Sequence, residues 1–234
     1  MIILDERIGG QRLILGECIS VISMIGMFDA LLTDPPYGIG ADKSKAQSSI
    51  RDNPKWGKKS WDMARPSRES FGYICKSSAL HIIWGGNYFA DILPQSKGWL
   101  SWRKPEAETG FSLADIELAW TSIDIASRQK TLPRRDGNMH PTQKPIALME
   151  WCLGFLPNAQ TILDPFAGSG TVSVACVNLG RQSTAIELDP DYYDIMCKRV
   201  DDAIRQPRLD LPEPKAKEAT LEMIFDVAKG QPCP

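Results

Sequence analysis

Histidine is nearly missing from this chain, with two residues in 234. The six cysteines (Cys18, Cys75, Cys152, Cys176, Cys197 and Cys233) are scattered, and no Cys-x-x-Cys pair occurs. These two scarcities exclude a zinc site and a disulfide framework, so no metal ligands are assigned. No stretch approaches the roughly 20 apolar residues that cross a bilayer. The first residues, Met1-Ile2-Ile3-Leu4-Asp5-Glu6-Arg7, lack a basic segment followed by a long apolar run, so no signal peptide is read there. An excess of one charge is also lacking: net charge is -2 with 24% charged residues. Affinity for nucleic acid must then come from local clustering of basic residues. The expectation is a reduced, soluble, cytoplasmic protein with no membrane partner.

What is present is 43% apolar sequence, enough to bury one sizeable core. Short apolar runs alternate with longer amphipathic ones, the pattern of a mainly parallel sheet covered by helices, an α/β fold. Residues 29 to 33 read as a buried strand halted by Asp34-Pro35-Pro36, because two prolines cannot donate ladder hydrogen bonds. Residues 81 to 84, 99 to 102, 116 to 121, 161 to 164 and 183 to 187 are further strands. Residues 170 to 179, closed by Gly180, and 191 to 205 are helices. Residues 1–205 are expected to form one domain, and 206–234 a Pro-rich tail with a short helix near 221 to 228. Two segments break the alternation. Residues 38–68 hold Lys43, Lys45, Lys55, Lys58 and Lys59 with Trp56 and Trp61, and 122–139 hold Arg128, Lys130, Arg134 and Arg135. Both read as loops, and loops of such length are usually functional or disordered. Trp84, Trp99, Trp102 and Trp120 lie on strands and read as core, as does His81.

Two motifs carry chemistry. In Asp164-Pro165-Phe166-Ala167-Gly168-Ser169-Gly170, a strand ends in a carboxylate and a Gly-x-Gly turn opens a helix, letting backbone approach a ligand. Glu187 follows Gly168 by nineteen positions at the end of the next strand, a spacing that suits ribose hydroxyls. Ser173 stands where a third glycine would complete the dinucleotide fingerprint, which disfavours a nicotinamide or flavin. S-adenosylmethionine has no pyrophosphate and needs no such cradle. The second motif is Asp34-Pro35-Pro36-Tyr37. An exocyclic amine is a poor nucleophile because its lone pair is delocalised into the base. A carboxylate from Asp34 and the fixed carbonyl of Pro35, each accepting one N–H, would localise that lone pair toward a sulfonium methyl. Tyr37 offers a face for a base extracted from the duplex. Asp-Pro alone is more often a strand-ending turn; the four residues after a buried strand favour the functional reading.

With these motifs in this order, the chain resembles the β group of DNA amino-methyltransferases, the adenine-N6 and cytosine-N4 enzymes. The resemblance rests on Leu15-Gly16-Glu17-Cys18, Thr33 to Tyr37, Trp84-Gly85-Gly86-Asn87, His140-Pro141-Thr142-Gln143-Lys144-Pro145, Asp164 to Thr171, and Ala185-Ile186-Glu187-Leu188-Asp189. It covers most of residues 12 to 205. It implies a Rossmann-like open sheet of about seven mostly parallel strands, with helices on both faces and the site at the strands' carboxyl ends. It implies S-adenosylmethionine held by Asp164, Phe166, Ala167, Gly168, Ser169 and Gly170 at the methionine part, and by Glu187 with Leu188 at the ribose. His140, Thr142 and Lys144 would close the other side, with Asp34 adjoining and Glu17 near the adenine. Read alone, Glu17 is equally a solvated residue at a helix start, and His140 to Lys144 a Pro-bounded loop.

The tetrapeptide's leading Asp favours N6 of adenine, with cytosine N4 the alternative and a noncatalytic DNA-binding relative the distant one. The family usually places a target-recognition segment before the His-Pro-Thr-Gln-Lys-Pro element; here only about 18 residues are available. Lys43, Lys45, Lys55, Lys58, Lys59, Arg128, Arg134 and Arg135 are therefore the candidate contacts to double-stranded DNA, against the ordinary reading of a solvated charged face. A stand-alone bacterial or phage modifier, with or without a restriction partner, fits this compact form. The family often forms dimers, so a homodimer is the candidate assembly.

Overall fold

The computed structural model describes residues 2–39, 64–105, 114–133 and 144–206. Among the described residues, nine strands form one sheet: β1 (Ile2–Ile8), β2 (Gln11–Gly16), β3 (Phe28–Thr33), β4 (Ser78–Trp84), β5 (Trp99–Arg103), β6 (Ile116–Thr121), β7 (Arg128–Thr131), β8 (Thr161–Asp164) and β9 (Gln182–Glu187). Their spatial order is β1-β2-β9-β8-β3-β4-β6-β5-β7. The central run from β2 through β4 is parallel. β1 and β6 run antiparallel to their neighbours.

The resemblance implies about seven strands, of which the residue pattern marks six; the strands it does not mark are β1, β2 and the edge strand β7. β1 is a hairpin partner of β2, exposed along most of its length, so no buried face marks it in the sequence. β7, in the stretch expected to be loop, is Arg-Gln-Lys-Thr with little burial; pairing to β5 makes it a strand. Such polar edges also blunt edge-to-edge association.

Along the central strands, successive apolar side chains alternate between two faces, as strand geometry requires. Ile14, Leu31, Ile83, Leu163 and Ile186 point to a layer shared with Val21, Phe71 and Ile74 from α1 (Cys18–Ile22) and α2 (Arg68–Lys76). Ala30, Leu32, Ile82, Trp84 and Ile162 point to the other face, onto α3 (Ile146–Leu153) and α4 (Thr171–Asn178). α5 (Pro190–Arg205) adds Tyr193, Met196 and Val200 beside α4, at the i, i+3 and i+7 spacing of one helix stripe. α4 is buried from Thr171 to Val177. It ends where the N–H groups of Gly180 and Arg181 bond the carbonyls of Val177 and Cys176, a Schellman closure. Trp84, Trp102 and Trp120 are core residues as expected. His81 bonds the Cys75 carbonyl through Nε2 at 2.8 Å, and burial lowers its pKa, so it too is a satisfied core residue.

The sequence order of the parallel strands reverses direction between β8 and β3. From β8 the chain crosses to β9 on one side, and from β3 to β4 on the other. Open α/β sheets bind ligands at the carboxyl edge of such a point.

Candidate functional site

Asp164 ends β8 and Thr33 ends β3, side by side at the reversal. Thr33 Oγ1 donates to Asp164 Oδ1 at 2.8 Å, locking the two carboxyl ends together, and the Phe166 N–H donates to the same oxygen at 3.2 Å. Burial pushes the Asp164 carboxyl up to about 7, against these hydrogen bonds and with repulsion from Asp34 and Glu187.

The turn after β8 has left-handed Gly168 (φ 52°) and Gly170 (φ 77°), conformations that L side chains resist. Space is open on the side where a Cβ of Gly168 would stand. Ala167 donates to the Ile186 carbonyl of β9 at 3.0 Å. The turn is also pinned from α5: the buried Arg199 guanidinium donates to the Ser169 carbonyl at 2.6 Å and to Ser169 Oγ at 2.8 Å. At the third fingerprint position, Ser173 is fully buried and accepts from Ser183 Oγ of β9 at 2.8 Å, so a hydroxyl pair occupies the helix–strand contact.

Glu187 Oε2 accepts from the Gly168 N–H at 2.7 Å, and Oε1 from Leu188 and Asp189 at 2.9 and 2.8 Å. Burial raises its pKa in spite of those bonds. Glu17 is the N-cap of α1, accepting from the N–H groups of Ile19 and Ser20 and from Ser20 Oγ. Its carboxylate caps the helix start directly after β2.

Asp34 follows β3 directly. Its Oδ1 accepts from the Tyr37 hydroxyl at 2.5 Å and its Oδ2 from the Lys144 ammonium. Lys144 also lies 3.2 Å from the Tyr37 hydroxyl and 3.2 Å from Glu117 Oε2, while Glu117 Oε1 takes Lys104. Burial works against the Lys144 cation, but Asp34 and Glu117 outweigh it and raise its pKa. Burial likewise opposes the Glu117 carboxylate, yet Lys144 and Lys104 hold it down at about 2. Because β6 is antiparallel to β4, its beginning lies beside the carboxyl end of β4, which brings Glu117 to the site.

The Tyr37 ring is packed more fully than a free stacking platform. Tyr88 lies parallel to it at 4.8 Å and 17°, and Phe89 meets it edge-on at 6.4 Å. Gly85 (φ 68°) lies so close that a Cβ there would stand 2.0 Å from the ring. The phenol is held well above its ordinary pKa by burial, then by the Asp34 and Glu117 charges.

The structure thus gathers Asp34, Pro35, Pro36, Tyr37, Lys144, Asp164 and the Phe166 to Gly170 turn along one carboxyl edge, with Glu187 and Leu188 at the end of β9. Arg128 is exposed on β7. Lys43, Lys45, Lys55, Lys58, Lys59, Arg134, Arg135, His140 and Thr142 lie outside the described residues, as does the 206–234 tail beyond Gln206. Glu117, Lys104 and Arg199 are functional neighbours that sequence patterns do not single out. Glu117 and Lys104 fall in or beside strands with no motif around them, and only the fold brings them together.

Residues 96–198 match the family model described as DNA methylase. Type II methyltransferase M.HpaI of Haemophilus parainfluenzae is 25% identical over 237 residues, covering 82% of this chain and 74% of that protein. Putative methylase YubD of Escherichia coli (strain K12) is 28% identical over 204 residues, covering 78% and 87%. The crystal structure of the M1.HpyAVI-SAM complex shares the fold at a TM-score of 0.54 and 22% identity, covering 80% of this chain and 97% of that one. With its sheet and its ordered motifs, the chain is similar to DNA methylases over residues 96–198 and to these methyltransferases over about four-fifths of its length.

Proposed function

We propose that this chain transfers a methyl group from S-adenosylmethionine to the N6 amine of adenine in DNA. The observation that carries the reading is the Thr33–Asp164 hydrogen bond, which sets the tetrapeptide Asp34 to Tyr37 and the Gly168–Gly170 turn side by side at the sheet's reversal point. A methyl donor and an amine acceptor must meet, and the fold provides one edge for both.

The residues present fit the cofactor. Gly168 leaves open space beside a backbone turn, and the carboxyl groups of Asp164 and Glu187, which accept from the N–H groups of Phe166 and Gly168 in that turn, suit a ligand with ammonium and sulfonium charges. The solved relative M1.HpyAVI carries SAM on the same fold. Asp164 and the Phe166 to Gly170 turn would hold the methionine part, and Glu187 with Leu188 the ribose. His140, Thr142 and Lys144 would close the other side of the cofactor. When bound, the cofactor supplies an electrophilic methyl. Asp34 and the Pro35 carbonyl orient the amine and draw its N–H bonds, and the proton released after transfer passes to Asp34 or water. The Tyr37 face turned to Tyr88 is covered, so a flipped base uses the opposite face or moves Tyr88.

Adenine is favoured by the Asp that opens the tetrapeptide, and the family also contains N4-cytosine enzymes. Basic residues of 38–68 and 122–139, Arg128 among them, are proposed to contact duplex DNA. Incubation with methyl-labelled S-adenosylmethionine and mixed-sequence duplex, then nucleoside mass spectrometry, is expected to give N6-methyladenine. An absence of methylated nucleoside overturns the reading, and N4-methylcytosine reassigns the acceptor. Asp34→Ala should abolish transfer while leaving cofactor binding within a few-fold, separating amine activation from cofactor affinity.

A further inference from the structure

The Lys144 ammonium stands between two carboxylates. It donates to Asp34 Oδ2 and lies 3.2 Å from Glu117 Oε2. Its side chain is only 5% exposed. Among the described residues, the groups that face it besides Asp34 and Glu117 are the Tyr37 hydroxyl and ring, the Trp84 ring at 5.5 Å, and the Cys152 thiol of α3. Lys104, itself buried, bonds the far oxygen of Glu117 and lies 4.7 Å over the Trp102 ring.

This arrangement conflicts with the chemistry asked of Asp34. An ammonium bonded to a carboxylate withdraws the charge with which that carboxylate would accept an amine N–H. A buried ammonium, however, cannot be left without a counter-ion. We propose that Glu117 is a positioning residue that provides a second seat for Lys144, so that Asp34 can release the ammonium and turn its carboxylate to the target amine. The inference rests on the methyl-transfer reading above. Because Lys144 is within bonding reach of both carboxylates, rotation about its terminal bonds changes the seat without exposing the charge. Glu117 suits the part because Lys104 keeps it ionised and fixed on β6, with an oxygen left over for Lys144. Asp34 lies after the central strand β3 and Glu117 on β6 beyond β4, so the lysine bridges the end of β3 and the start of β6 across β4.

Two measurements test this. In single-turnover methylation at saturating cofactor and DNA, Glu117→Gln is expected to slow transfer at least about tenfold, with KM for DNA changed much less. Glu117→Asp, which keeps the charge, is expected to recover most of the rate. In the protein free of cofactor and DNA, NMR of lysine labelled at Cε is expected to show the Lys144 titration moved down by about one unit or more in Glu117→Gln, since Asp34 alone then opposes burial. A Lys144 titration that does not move in folded Glu117→Gln overturns the proposal, as does a transfer rate within about twofold of wild type. If Glu117→Gln fails to fold, a Glu117→Asp variant with unchanged melting but a rate as low as Asp34→Ala overturns it equally. If the wild-type protein methylates nothing, the methyl-transfer reading falls by itself, and the lysine titration still judges whether Glu117 is a counter-ion of Lys144.

Discussion

Asp164 is a buried acid whose protonation should be coupled to both stability and cofactor binding. Its folded pKa is raised from 3.8 to about 7, chiefly by burial. An acid with a raised folded pKa contributes stability that is fully present below its unfolded value and is lost as pH rises through its folded value. Between about pH 4 and 7 the native protein should therefore lose stability on account of this residue, by a few kcal/mol at most. Asp164→Asn, which carries no charge at any pH, should melt progressively higher than wild type as pH rises across that window, and similarly below it. On the proposed reading, a cationic methionine group near Asp164 favours its ionised form. Cofactor affinity should then rise as pH passes through about 7, with a proton released on binding below that pH. Calorimetry in two buffers of different ionisation enthalpy detects the proton, and identical heats would refute the coupling.

Gly85 makes a second prediction at this scale. A methyl group there meets the Tyr37 ring at 2.0 Å, and the backbone φ of 68° is already unfavourable for a side chain. Gly85→Ala should cost on the order of 1–3 kcal/mol in stability. By driving Tyr37 off Asp34, it should lower single-turnover methylation by about a hundredfold or more. Near-normal transfer in the folded variant would show that the Tyr37 position does not matter. Asp34, Tyr37, Asp164 and Gly85 were all legible in the sequence because each sits in a short motif with a fixed neighbour pattern. Glu117 was not, because Ile-Glu-Leu-Ala-Trp-Thr reads as an ordinary alternating strand and Lys104 as an ordinary surface charge. Their burial comes from pairing with distant residues, which periodicity does not record.

At the scale of elements, the buried strands other than β2 were read nearly to their ends, while β2 (Gln-Arg-Leu-Ile-Leu-Gly) was not read. β6 and β8 begin and end at the expected residues, because apolar runs bounded by breakers have few alternatives. β1 and β7 escaped because an edge strand is defined by its partner's ladder rather than by its own apolar content. α5 supports the turn after β8 from outside the sheet. Its Arg199 anchors the Ser169 carbonyl and hydroxyl, so the amphipathic helix that packs on α4 also fixes the turn after β8. Arg199→Met keeps the side chain's bulk but removes these donors. It should destabilise the protein by roughly 1–3 kcal/mol and weaken S-adenosylmethionine binding, because the turn loses its outer support. Unchanged affinity at lowered stability would confine Arg199 to a folding role.

For the whole molecule, the question is how a chain of net charge -2 engages a polyanion. The sheet supplies a direction. β6 is antiparallel to both β4 and β5, and β7 is parallel to β5, so β7 runs the same way as β3 and β4. Its carboxyl end at Thr131 therefore lies on the edge where Asp34 stands, and the chain is next described at Lys144, within the site. Arg128 and Lys130, two residues apart on β7, share one face, and among the described residues no strand pairs with the outer edge of β7. If this end of the sheet meets the DNA backbone, each cation should release counterions on binding, contributing about 0.9 to the slope of log affinity against log salt. Replacing Arg128 and Lys130 together by alanine should lower that slope by up to about 2, with a uniform loss of affinity across DNA sequences. Base choice should be untouched, since phosphate contacts position without specifying. An unaltered slope would remove β7 from the interface and leave DNA binding to Lys43, Lys45, Lys55, Lys58, Lys59, Arg134 and Arg135. A changed base preference would instead make β7 part of target recognition.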